Sequence, residues 1–165
     1  MSFFPTAWNP AKKLAYGAGI EGCMQLTVDE TRMGGPFWNG GIATRNNRMA
    51  GGIAAIDMTT GKVKVTRLLD YPVYSGVLAT AGGLVFTATI DGTVLALDDE
   101  QLEPLWSLNV GTSISAPPMT YAVDGKQFVA IHVGGGAPWN IGVLKGTPEL
   151  HTLESGSTLF VFALP

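Results

Sequence analysis

Apolar and polar residues alternate in short runs separated by glycine, proline and Asp-Gly pairs, and no long window keeps apolar residues at helical spacing. That pattern predicts an all-β chain with little helix. The sharpest unit is 83–97, where two β-prone runs flank Asp91-Gly92, a pair that predicts a hairpin closed by a type I′ turn. Residues 118–133 repeat the pattern around Asp124-Gly125. A strand, turn, strand unit is expected over 51–67 and a last strand over 158–164. The stretches 39–48 and 134–156, rich in Gly, Asn and polar residues, read as long loops.

The units repeat. Ala55-Ile56-Asp57 and Ala96-Leu97-Asp98 each end an apolar run, and their aspartates lie 41 positions apart, the spacing of one propeller blade. Eight residues beyond each Asp stands Val65 in the first copy and Trp106 in the second. The expected architecture is a set of antiparallel four-stranded units, roughly three to four blades' worth, where a closed propeller has typically four to eight.

Composition adds three exclusions. The 165 residues fit one domain, 1–165, but only 14% are charged against 46% hydrophobic, a surface that expects to be covered. Lys plus Arg number 10 against 13 Asp plus Glu, with no basic cluster, so nucleic acid is excluded as a partner. The single Cys23 forms no internal disulfide, and the apolar runs are too short to span a bilayer. Near the N-terminus the lysines follow the apolar residues and two prolines come early, the wrong order for a signal peptide.

Several segments together resemble the final blades of the methanol and ethanol dehydrogenases that use pyrroloquinoline quinone (PQQ). They are Ala55-x-Asp57-x-x-Thr60-Gly61-Lys62, Pro72-Val-Tyr-Ser-Gly76, Thr80-Ala-Gly-Gly83, Asp91-Gly92, Trp106, Ala116-Pro-Pro-Met-Thr-Tyr121 and Asp124-Gly-Lys-Gln-Phe-Val-Ala130. The opening, Pro5-Thr-Ala-Trp8-Asn9-Pro10, is similar to a family segment one blade earlier. The resemblance implies a partial β-propeller, the last blades of an eight-bladed one, in which Trp docking motifs staple each blade to the next. Trp106 fits such a motif and is expected to be largely buried on a neighbouring blade. Val65 in place of Trp, and Gln101-Leu102 in place of Thr-Gly, are expected to weaken the stapling.

The resemblance also implies a cofactor, PQQ, and a calcium or lanthanide ion, held in the family by residues that precede this chain. Ser2 and Phe3 stand where the family motif reads Asn-Trp. Two residues are candidates for the cofactor side. Tyr74 sits where the family carries an aromatic near the cofactor edge, with ordinary burial in a strand as its other reading. Trp139 lies in a loop where the family walls its substrate pocket with an aromatic, with loop packing as its alternative. No residue is assigned a catalytic or metal-binding role. Asp57 and Asp98 read as turn caps accepting backbone N–H groups, His132 and His151 have no ligand partners at a suitable spacing, and Gly134–Gly136 reads as a flexible loop and not a phosphate cradle.

The resemblance thus implies a portion of a periplasmic PQQ-dependent alcohol dehydrogenase. Such an enzyme oxidises a primary alcohol to the aldehyde and passes electrons to a cytochrome c or a quinone. The chain is expected to be inactive alone and to need the missing N-terminal blades or self-association to cover its open faces. The alternative is a non-catalytic propeller-repeat scaffold or interaction protein.

Overall fold

A computed structural model describes residues 4–28, 41–44, 48–134, 147, 149–150 and 156–163. Within them lie thirteen strands and no α-helix. Sheet 1 joins β1 (Ala7–Asn9), β2 (Leu14–Glu21), β5 (Ala50–Asp57) and β6 (Lys62–Leu69) in that order. Between β2 and β5 the chain leaves the sheet for a small antiparallel pair, β3 (Gln25–Thr27) with β4 (Ile42–Thr44). Sheet 2 is a plain meander of β7 (Val77–Ala79), β8 (Leu84–Ala88), β9 (Thr93–Asp98) and β10 (Pro104–Asn109). Sheet 3 has three strands among the described residues: β11 (Met119–Val123), β12 (Lys126–Gly134) and β13 (Ser157–Ala163). The all-β, four-stranded expectation holds for the first two sheets.

The sheets stack face to face, which explains why their strands carry apolar residues on both sides. Leu14, Tyr16, Ile53 and Ala55 of sheet 1 pack on Val77, Val85, Leu95 and Leu97 of sheet 2. The opposite face of sheet 2 contributes Phe86, Ala88, Val94 and Ala96, and these meet Val129, Ile131 and Val133 of sheet 3. Sheet 2 is therefore a sandwiched layer, and β9 is buried along almost its whole length.

The 41-residue repeat is visible in the pairing. Ala55 faces Val65 and Ala96 faces Trp106, each beside a register shift that bends the fourth strand of its sheet. Asp57 accepts from the N–H groups of Thr59 and Thr60, and Asp98 from those of Glu100, Gln101 and Glu103. Both aspartates are turn caps, as the sequence indicates. These donors drive both carboxyls below the usual range: at Asp57 the Thr59 side chain leads, while at Asp98 burial pushes the other way and the backbone donors outweigh it.

The two Asp-Gly tips differ from each other. Asp124 (φ 50°) and Gly125 (φ 76°) are both left-handed and join the directly paired Val123 and Lys126, the predicted type I′ geometry. At the other tip only Gly92 is left-handed (φ 94°), Gly92 N–H donates to Thr89 O, and Thr89 N–H donates to Thr93 O. That is a type I turn closed by a glycine bulge, which corrects the type I′ expectation. The reason lies in side chains: Asp91 accepts the Thr89 and Thr93 hydroxyls at 2.5 and 2.6 Å, and the preceding Ile90 is buried, so the loop needs two further residues.

Candidate functional site

The segment holding Tyr74 runs from the end of sheet 1 into β7 and is tied down at each end. Ile90 N–H donates to Pro72 O at 3.0 Å. Ser75 Oγ donates to Ala88 O at 2.8 Å and accepts Ala88 N–H at 2.9 Å, while the Thr87 hydroxyl donates to Gly76 O at 2.8 Å. Gly76 is left-handed (φ 76°), and a Cβ there would lie 2.6 Å from Pro5 Cδ. Only glycine lets the Phe4-Pro5 segment come this close, and Val77 N–H then donates to Pro5 O at 3.0 Å.

That approach sets Phe4 edge-on to Tyr74, with ring centroids 5.3 Å apart. Tyr74 is buried among Met49, Ile90 and Leu150, with Ile20 and Tyr71 beside them. Next to this cluster, the Arg48 guanidinium lies 5.0 Å from the centre of the Tyr71 ring and donates to Glu149 at 2.7 Å, and the Tyr71 hydroxyl donates to the same carboxylate at 3.2 Å. The sequence picks out Tyr74 but neither Phe4 nor this ion pair. Phe4 and Tyr74 are 70 residues apart, and Arg48 and Glu149 are 101 apart, so no local pattern signals either contact. Trp139, the second candidate, lies outside the described residues, as do His151, Ser2 and Phe3.

The junction of sheets 1 and 2 carries a polar lock that local patterning does not predict. Asn9 Nδ2 donates to the buried Asp99 at 3.1 Å, and Lys12 Nζ donates to Asp99 at 2.6 Å and to Glu100 at 2.8 Å. The Tyr16 hydroxyl donates to Asp99 O at 2.8 Å. Burial, and then the Asp99 charge, push the Tyr16 phenol up to about 12, so it stays a donor at any physiological pH. Lys12 is pulled up from its ordinary value by its hydrogen bonds to Asp99 and Glu100.

Leu102 bears on one expectation, the weakened stapling at Gln101-Leu102. It occupies the left-handed corner (φ 57°) where Gly61 stands 41 residues earlier, and its side chain is 0% exposed within the core shared by sheets 1 and 2. Leucine at this corner places an apolar plug between the two sheets. Trp106 corrects another. It meets the neighbouring sheet, with Phe162 of β13 edge-on at 5.3 Å, yet it is 41% exposed and not largely buried. The physical reason is a groove of about 490 Å³ that opens beside it.

Among the described residues no group of three His, Cys, Asp or Glu is placed to hold a metal ion, so no step through a metal is assigned to them. His132 shares a hydrogen bond with Ser157 at 3.0 Å. No helix among the described residues is long and apolar enough to cross a membrane.

Comparison with known proteins agrees with this architecture. The β-propeller domain model of the PQQ glucose, ethanol and alcohol dehydrogenases matches residues 62–129. Over 132 residues the chain is 38% identical to the quinoprotein ethanol dehydrogenase of Pseudomonas putida, a match covering 76% of this chain and 21% of that protein. It is 37% identical over 137 residues to methanol dehydrogenase (cytochrome c) subunit 1 of Paracoccus denitrificans, covering 83% of the chain and 20% of the relative. The quinohemoprotein alcohol dehydrogenase of Comamonas testosteroni superposes on 98% of the chain with a TM-score of 0.78 at 26% identity, using 25% of its own length. The chain thus spans about a fifth to a quarter of these proteins. With its repeat, its sheet order and its sequence all in agreement, the chain belongs to the quinoprotein alcohol dehydrogenase family, as part of the β-propeller.

Proposed function

We propose that the chain forms the C-terminal blades of a periplasmic PQQ-dependent alcohol dehydrogenase and is inactive without the rest of the propeller. The observation that carries this reading is the superposition of 98% of the chain on one quarter of a quinohemoprotein alcohol dehydrogenase. Oxidation of a primary alcohol to its aldehyde would be the chemistry of the bound quinone and a calcium or lanthanide ion, held by blades outside this chain. Electrons would pass to a cytochrome c or a quinone, in keeping with the cytochrome-linked methanol dehydrogenase among the relatives.

This chain's part is to shape one wall of the site. Tyr74 and Trp139 are the residues proposed for the cofactor side. Tyr74, at 6% exposure and edge-on to Phe4, would act by fixing the ring in front of it. The open faces of sheets 1 and 3 would be covered by other blades, or by a second copy when those are absent. Exposed Met119, Tyr121 and Leu159 on sheet 3 support that reading.

A chimera tests it: this chain replaces the matching fifth of the Pseudomonas putida quinoprotein ethanol dehydrogenase. The chimera should bind PQQ and oxidise ethanol in a dye-linked assay. The isolated chain, given PQQ, calcium and the same dye, should not exceed a no-protein control. A folded chimera that binds no PQQ would favour the scaffold reading, and turnover by the isolated chain would overturn its proposed inactivity.

A further inference from the structure

An Asp-Gly pair can rearrange its own backbone. The glycine nitrogen attacks the aspartate Cγ, a C–N bond forms, and the carboxyl OH leaves as water with the glycine N–H proton. Glycine permits the approach because it has no Cβ to crowd it. The five-membered imide then takes up water at one of its two carbonyls. Opening at Cγ restores aspartate, whereas opening at the main-chain carbonyl leaves isoaspartate, with the chain running through the side-chain carbon. The step needs a carboxyl that is free to turn, a glycine N–H that is not held elsewhere, and room for the ring.

The two Asp-Gly tips meet these needs unequally. At Asp91-Gly92 both reacting groups are tied. The Asp91 carboxylate accepts the Thr89 and Thr93 hydroxyls, and Asn109 Nδ2 adds a third bond at 3.3 Å. Gly92 N–H donates to Thr89 O at 3.1 Å, and Gly92 is buried against Thr112, whose carbonyl oxygen would lie 2.6 Å from an added Cβ. At Asp124-Gly125 both residues are exposed, and a Cβ on Gly125 would meet nothing within 4 Å. Among the described residues no hydrogen bond or ion pair engages the Asp124 carboxylate or the Gly125 N–H.

We propose that Asp124-Gly125 is a site of spontaneous isoaspartate formation in the folded chain, and that Asp91-Gly92, the same dipeptide, is protected by its own loop. The consequence falls on sheet 3. Two residues join the directly paired Val123 and Lys126. Isoaspartate adds one main-chain carbon there and leaves a carboxylate on the backbone, so the type I′ geometry is lost and the β11–β12 register loosens at the tip.

The 165-residue chain is aged in warm neutral buffer, folded and in concentrated urea. Its peptides are then read by electron-transfer fragmentation, which tells isoaspartate from aspartate site by site. Reading by site is needed because Asn39-Gly40, which reaches the same imide by losing ammonia, lies outside the described residues. In urea the two Asp-Gly pairs should convert at similar rates. In the folded chain Asp124 should convert at least about tenfold faster than Asp91, which reacts only through local opening. Asp124→Asn keeps a dipeptide suited to the type I′ turn and should convert faster than the parent. Asp124→Glu, whose ring would have six members, should stop the change at this tip and leave Asp91 as it was. Chain enriched in isoaspartate should show faster amide exchange over 119–129. Equal conversion of the two pairs in the folded chain, conversion confined to Asp91, or no conversion at Asp124 when the urea sample converts would overturn the proposal.

Discussion

The turns Asp57–Lys62 and Asp98–Glu103 share a backbone and differ in what lies beneath them. In both, an aspartate caps the entry, and the N–H of the fourth residue onward donates to its carbonyl, from Gly61 at 2.7 Å and from Leu102 at 3.2 Å. In both, that residue is left-handed. The first turn hangs clear: a Cβ on Gly61 would meet nothing within 4 Å, so glycine takes the conformation without strain and nothing rewards a larger side chain. The second turn overlies sheet 1, and there leucine accepts roughly 1–2 kcal/mol of left-handed strain. Burial returns about as much or more, typically 1.5–3 kcal/mol for a fully buried leucine. Local geometry sets the turn, and the neighbouring sheet selects its corner residue.

The largest effect should come from emptying the rewarded corner. Leu102→Ala keeps the strain and loses the plug, so urea unfolding at a fixed protein concentration should show a loss of about 2–5 kcal/mol. A loss below ~1 kcal/mol would mean that the corner holds the two sheets no better than the exposed one does.

Next comes the polar lock on the same turn. Asp99→Ala leaves the buried Asn9 amide without its acceptor and Lys12 with Glu100 alone, and should cost about 1–3 kcal/mol. Asn9→Ala combined with Asp99→Ala should cost less than the sum of the two single changes, because the pair shares one interaction. Strict additivity would show that the contact contributes nothing.

Acid should then expose the caps. Asp98 is held below its ordinary value in the folded chain, so its contribution is fully present above the unfolded value of about 3.9 and is lost as pH falls through the folded one. Urea midpoints taken from pH 6 down to pH 3 should therefore fall, and Asp98→Asn should flatten that fall. Asp57→Asn should flatten it too, because its carboxyl is held below its ordinary value by donors of the same kind. An unchanged slope in the Asp98 variant would separate the cap from acid stability.

The smallest effect belongs to the unrewarded corner. Gly61→Leu adds left-handed strain with no surface to bury, and should destabilise by about 1 kcal/mol. A neutral or stabilising result would show that leucine suits this turn on its own, and the contrast between the two corners would collapse.

Much is legible in the sequence alone. Alternating runs, Asp-Gly tips and the 41-residue spacing of Asp57 and Asp98 determine the hairpins, the caps and the blade repeat, because each depends on residues within a few positions of one another. The type I′ tip at Asp124-Gly125 followed from its dipeptide alone, whereas the Asp91-Gly92 tip was reshaped by the Thr89 and Thr93 hydroxyls and the buried Ile90. Tertiary structure alone decided that Leu102 is a plug, that Asp99 is gripped by Asn9 and Lys12, that Phe4 stands edge-on to Tyr74, and that Trp106 borders an open groove. Each of these turns on which sheet lies opposite. Strand period and turn chemistry are properties of neighbours along the chain, while burial is a property of surfaces brought together from residues tens of positions apart.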